Sequence, residues 1–181
     1  KMKLLKMDFL GLRNLTMISK TVKLIKKCQD IDLDINHIPL DDKPTYQMLI
    51  RGETVGVFQL ESQGMTNLVK KLQPDVFEDL GALVALFRPG PLGSGMVDVF
   101  VDRKHGRQEI TYPHPRLEKV LKDTYGTMVY QEQIMQIFRE MADYSLGEAD
   151  MVRRMMGHKD PAAMAAQEDK LIKGSAKYGM K

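Results

Sequence analysis

A chain of 181 residues with 43% hydrophobic content can bury the core of one domain or a large part of one, and its formal charge of +3 is too small to mark a nucleic-acid binder. The lone Cys28 rules out an internal disulfide and the four scattered histidines offer no zinc spacing. With no secretory signal pattern and no apolar run long enough for a bilayer, a soluble, cytoplasmic protein without a membrane partner is expected.

The first stretch, LLKMDFL (Leu4 to Leu10), alternates loosely and predicts a strand with Lys6 and Asp8 on one face and Leu5, Met7 and Phe9 on the other. After Gly11 the spacing predicts a helix that buries Leu15, Ile18, Val22 and Ile25 and keeps Lys20, Lys23, Lys26 and Lys27 wet. Eight lysines and arginines lie between Lys1 and Cys28 against the single carboxylate Asp8, and the acidic loop from Asp30 to Asp42 reverses the sign. Asp42 can cap a short helix through Ile50 that Gly52 ends. Thr54 to Leu60 reads as a short strand and Glu61 to Leu72 as helix, while Asp75 and Glu78 form a start signal for an apolar run to Phe87. RPGPLGSG (Arg88 to Gly95) is expected to break the helix, which resumes from about Ser94 to Lys104 and closes at Gly106. Tyr112 to Pro115 is an extended connector before a short helix to Lys122. GTMVYQEQ (Gly126 to Gln133) then turns into a helix with Ile134, Ile137, Phe138 and Met141 as its buried stripe. Asp160 and Pro161 open a last helix that ends near Gly174. Fourteen methionines and no tryptophan suit a helical interior, so the fold class is mainly α, with a few short strands.

Several groups could do chemistry. On a helical wheel, Met151, Val152, Met155 and Met156 gather on one side of GEADMVRRMMGHKD (Gly147 to Asp160), and Arg153 and Arg154 flank the other with Asp150 between them. The pair is either a solvated face, with Asp150 and Arg154 joined at i,i+4, or a phosphate clamp, because guanidinium forks match phosphate oxygens. In the second reading Gly157 ends the helix and swings His158 and Lys159 toward the same ligand. No Walker-type glycine loop is present, which excludes a P-loop NTPase. Asp8 is a surface carboxylate or one ligand of a divalent cation, with Lys6 beside it on an anion; a two-metal site needs more carboxylates than this. Arg88 is aimed by the stiff Pro-Gly-Pro that follows. Arg103, Lys104 and Arg107 in VDRKHGR either answer a helix dipole or touch a polyanion. Tyr130, with Gln131 and Gln133, is either a core tyrosine or a flat ring with amides facing a base.

Taken together and in order, KMDFLGLRNLTMI, VGVFQLESQGM, LVALFRPGPLGSGMVDVFVDRKHGR, YGTMVYQEQIMQI and YSLGEADMVRRMMGHK resemble the C-family replicative DNA polymerases of bacteria, the DNA polymerase III alpha subunits. The resemblance covers nearly the whole chain. It implies a fragment in which residues 1–11 are the last palm strand and residues 12–181 a helical fingers domain, incomplete at its C-terminal end. Position by position, it makes Asp8 the third catalytic carboxylate and a metal ligand, its Asp-x-Asp partners having no counterpart here. Lys6, Arg153 and Arg154 become triphosphate ligands, with Lys159 beside them. Arg88 and Tyr130 lie near the nascent base pair, and Arg103, Lys104 and Arg107 along the DNA. The family pattern reads RRAMGKK where this chain has Met155 and His158, so no role as a fixed cation is assigned to His158. The implied reaction is DNA-directed addition of deoxynucleotides with two Mg²⁺ in the intact enzyme, and the fragment alone is expected to hold none and to be inactive. Implied partners are deoxynucleoside triphosphates, primer–template DNA, the rest of the polymerase chain and replisome subunits including the sliding clamp. A non-catalytic helical nucleic-acid-binding module is the alternative, and a helical interaction domain with merely solvating cations a third.

Overall fold

The computed structural model describes residues 6–158 and 161–179. Among them lie ten α-helices and no strand. The expectation of a mainly α fold holds; the expected strands do not form. Residues 6–12 are irregular, with Leu10 97% exposed, because a lone extended segment has no ladder to join. Leu4 and Leu5 of that stretch lie outside the described residues. Thr54 to Leu60 is a run of turns instead, in which Val57 N–H donates to the Thr54 carbonyl (3.1 Å) and Leu60 N–H to that of Val57 (3.0 Å). Gly56 (φ 78°) and Gln59 (φ 65°) take left-handed backbone there, which no strand accommodates.

The first helix, α1 (Arg13–Gln29), forms where the spacing put it, yet no residue of it is buried. Leu15 and Ile18 of the expected stripe are exposed, and Val22 and Ile25 are half-covered. They face a groove of about 650 Å³ shared with Leu33, Ile35, Val57 and Phe58. The next helices make the larger core: α2 (Lys43–Arg51), α3 (Gln63–Leu72), α4 (Phe77–Leu86), the short α5 (Pro89–Gly93) and α6 (Met96–Lys104). Leu49, Val69, Leu72, Leu83, Leu86, Phe100 and Val101 close it, each essentially removed from water.

The helix starts follow capping chemistry. Asp42 accepts from Thr45 N–H (3.0 Å) to open α2, Gly52 ends it at φ 78°, and Ser62 Oγ accepts from Met65 N–H (3.3 Å) to open α3. At α4 the carboxylate is Asp79 rather than the expected Glu78: it accepts from the N–H groups of Asp75 (3.1 Å) and Val76 (3.4 Å). RPGPLGSG breaks the helix as expected, since α4 ends at Leu86, but the stretch is itself partly helical. Pro89 and Pro91 sit in a first turn, where missing N–H groups cost nothing, and α5 forms.

Past a loop, α7 (Glu118–Leu121) leads to α8 (Gln131–Ala142), α9 (Leu146–His158) and α10 (Pro161–Ala176), which pack on one another around Phe138, Ala142, Tyr144, Ala149 and Val152. Phe100 meets Tyr125 edge-on at 5.1 Å between ring centres, joining this part to the larger core. Two ends move from where they were expected. Helix α9 runs through Gly157 to His158, and α10 runs through Gly174 to Ala176. Gly174 is an approach point rather than a stop: a Cβ there would lie 2.6 Å from Ala142 Cα, so only glycine lets α10 touch α8. Asp160, the expected cap of α10, lies outside the described residues.

Candidate nucleotide-binding face

Helix α9 begins with a reciprocal box. Ser145 Oγ accepts from Glu148 N–H (3.3 Å), and Glu148 Oε2 accepts from Ser145 N–H (2.9 Å). Lys170 of α10 donates to the other oxygen of Glu148; that bond and the Ser145 bonds push the Glu148 pKa down to about 2. With its start fixed, α9 turns Ala149 and Val152 inward. The methionine side is less buried than expected, since Met151 and Met156 are exposed and Met155 half-covered. The opposite side presents Asp150, Arg153 and Arg154.

The two arginines converge on one carboxylate. Arg153 Nε (2.9 Å) and Nη2 (2.8 Å) donate to Asp150 Oδ1. Arg154 Nε (2.9 Å) and Nη2 (2.8 Å) donate to Oδ2. Asp150 thus spans both guanidiniums, not Arg154 alone. The Arg153 hydrogen bond, joined by the attraction of Arg154, holds its carboxyl below the usual range. Arg153 also donates from Nη1 to Gln131 Oε1 (2.9 Å) at the start of α8. Tyr130, the residue before Gln131, is half-buried beside Gly81 of α4, and burial followed by the charges of Asp79 and Glu78 raises its phenol pKa.

The group that shapes this corner is Gln133, which the sequence suggested as a base-facing amide. It is buried. Its Oε1 accepts from the N–H groups of Val129 (2.8 Å) and Tyr130 (2.9 Å), and its Nε2 donates to the Val120 carbonyl (3.1 Å) and Thr124 Oγ1 (2.7 Å). A glutamine three residues after the turn was the available signal, as the acceptor half of a capping box. Gln133→Ala strands several buried polar groups and is expected to cost about 1–3 kcal/mol for each one left unpaired, read as a fall in the urea midpoint at constant slope; an unchanged midpoint would remove Gln133 from this role.

The remaining candidates are scattered over the fold. Lys6 and Asp8 pair at 3.7 Å, both well exposed, in a segment that forms no strand and so gives them no shared strand face. Among the described residues no three metal-capable side chains cluster. Arg88 precedes α5 and is exposed; no carboxylate among the described residues pairs with it. Lys104 turns inward, its side chain 7% exposed, against Asp79 (2.8 Å, 3% exposed) and Asp75. Arg103 donates to the Tyr125 carbonyl (3.1 Å) and Thr111 Oγ1 (2.7 Å), and Arg107 pairs with Asp102 (2.8 Å). The three therefore do not form one outward basic edge. Lys159 lies outside the described residues. No described helix is long and apolar enough to cross a membrane.

Residues 14–179 match the family model described as the bacterial DNA polymerase III alpha subunit finger domain. DNA polymerase III subunit alpha of Pseudomonas aeruginosa is 56% identical over 186 residues, covering 98% of this chain and 16% of that protein. The Escherichia coli K12 protein of the same name is 55% identical with the same coverage, and that of Aquifex aeolicus 49% identical over 97% of this chain and 15% of its own. The chain spans about 16% of the length of these curated relatives.

Proposed function

The chain belongs to the finger-domain family of the bacterial DNA polymerase III alpha subunit, and from that premise we propose that its α9 face binds the triphosphate of an incoming deoxynucleotide during DNA-directed DNA synthesis. The observation that carries the reading is the convergence of Arg153 and Arg154 on the solvent side of α9, oriented by one carboxylate and by the start of α8. Two forks side by side match a ligand with several acceptor oxygens and several negative charges. Tyr130 and Arg88 flank the base pair in this reading, Lys6 and Lys159 add charge toward the phosphates, and primer–template DNA and the rest of a longer polymerase chain are its partners.

Residues 12–181 serve as fingers and residues 1–11 as the end of a palm, where Asp8 supplies one carboxylate to the catalytic centre of the intact enzyme. A family match that begins at residue 14 supports that division. By itself the 181-residue chain does not extend primers, because one carboxylate cannot hold a pair of cations. Of the cations expected along DNA, Arg107 keeps an exposed position, whereas Lys104 serves the fold.

The test is incorporation rate against deoxynucleotide concentration in the intact polymerase, alongside primer–template affinity over a salt series. Arg153→Ala and Arg154→Ala should each lower nucleotide-dependent efficiency roughly tenfold, the scale of one charge-assisted hydrogen bond, and leave DNA affinity and its salt slope nearly unchanged. Lost DNA affinity with a flatter salt slope and normal nucleotide dependence would place the pair on the DNA backbone instead, the mark of a pure nucleic-acid-binding surface.

A further inference from the structure

We propose that Asp150 is a positioning residue for the nucleotide: it holds Arg153 and Arg154 by their side edges, with Gln131 steadying Arg153 at Nη1, so that donors on the far end of both guanidiniums stay open to phosphate. The inference rests on the reading of that pair as triphosphate ligands and adds how the free protein prepares them.

A guanidinium offers two donor edges, the side edge of Nε and Nη2 and the end edge of Nη1 and Nη2. Asp150 takes the side edge of both arginines, with Oδ1 on Arg153 and Oδ2 on Arg154, at 2.8–2.9 Å throughout. The end edges remain. Arg154 is 67% exposed, and its Nη1 takes no part in the bonds to Asp150. On Arg153, 29% exposed, one Nη1 hydrogen goes to Gln131, which stops the plane from turning, and the rest of the edge stays available. Gln131 is itself fixed as the first residue of α8, whose start Gln133 ties from inside the fold.

Without Asp150, two adjacent cations on one helix would turn apart, and each long side chain would have to be ordered when the nucleotide arrives. Ordering them beforehand removes that cost from binding. The opposing effect is the negative charge of Asp150, which repels phosphate. Its geometry argues for holding over blocking: both of its oxygens are directed at side edges, and neither covers an end edge.

The experiment measures KM and kcat for a deoxynucleoside triphosphate in the intact polymerase. Asp150→Asn keeps the volume, accepts from one arginine only and turns an amide donor toward the other. It should raise KM about fivefold to tenfold, near the scale of one charge-assisted hydrogen bond, with kcat held within about twofold. Asp150→Glu should recover part of the loss. Added to the Arg153→Ala, Arg154→Ala double variant, Asp150→Asn should change nothing further, since its effect passes through those side chains. Gln131→Ala should raise KM by a smaller factor through Arg153 alone, and serves as the readout if the Asp150 variants fold poorly. An unchanged or lowered KM in Asp150→Asn, or in Gln131→Ala where that stands in, overturns the proposal while the arginine variants still raise KM; a lowered value would make Asp150 a competitor of phosphate. Loss of thermal stability and kcat without a KM change would make it merely structural. If the arginine variants themselves keep normal nucleotide dependence, the underlying triphosphate reading fails first.

Discussion

Asp8→Asn in the intact polymerase is expected to slow nucleotide addition by several powers of ten, a loss within the scale of enzymatic acceleration, while primer–template affinity changes little. Asparagine keeps the shape of the side chain and removes its charge, and charge is what a carboxylate contributes beside cations and a triphosphate. The exposed pair of Lys6 and Asp8, 3.7 Å apart, shows no structural duty for Asp8 in the described part of the fold. Stability should therefore be indifferent to the change, which separates a chemical effect from unfolding. Single-turnover extension at saturating nucleotide gives the rate, and DNA titration gives the affinity. A variant that extends primers at a near-normal rate would sink both the role of Asp8 and the placement of residues 1–11 beside a palm.

Lys104→Met should have the largest effect on stability. The ammonium is enclosed with the Asp79 carboxylate, 7% and 3% exposed, and Asp79 also anchors the start of α4. Methionine fills similar space but leaves a buried carboxylate without its cation, which costs about 3–5 kcal/mol for an enclosed pair. The two N–H bonds that Asp79 retains place the expectation near the lower end. Neutralising both partners, with Lys104→Met and Asp79→Asn together, should return a large part of the loss. Burial pulls the lysine pKa down, but the hydrogen bonds it donates to Asp75 and Asp79 outweigh that and hold the group above its ordinary 10.5. A raised folded pKa means the contribution is fully present below 10.5 and fades as pH rises through the higher folded value. Urea unfolding at neutral and at strongly alkaline pH reads both effects. A single variant as stable as the parent, or an alkaline limb unchanged by the substitution, would show the pair to be unimportant.

What the sequence made legible was local. Asp42 with Gly52, and the apolar spacing of α8, are signals carried within a few residues, and the structure follows them. What it concealed depended on distant partners. Lys104 reads as a surface cation until α4 brings Asp79 over it, and Gln133 reads as a ligand donor until α7 and the turn after it wrap its amide. Gly174 reads as a helix stop because nothing nearby in sequence announces Ala142. Strand patterning failed where no pairing partner was at hand, since alternation describes a surface and not a hydrogen-bonded neighbour. At the candidate site, the arginine pair and its carboxylate were readable from helical spacing. The crossing bond from Arg153 to Gln131 was not, because it joins residues of two different helices.

The uncovered state of α1 bears on how the molecule opens. A helix of 17 residues with no buried side chain has little tertiary packing to support it, and near that length isolated helices are marginal in water. Its amide protons should exchange by fraying and local melting, on the timescale of a free peptide, while those of Val69, Leu83 and Phe100 wait for global unfolding. Within this 181-residue chain, a loosely held helix then lies directly after the segment that bears Asp8.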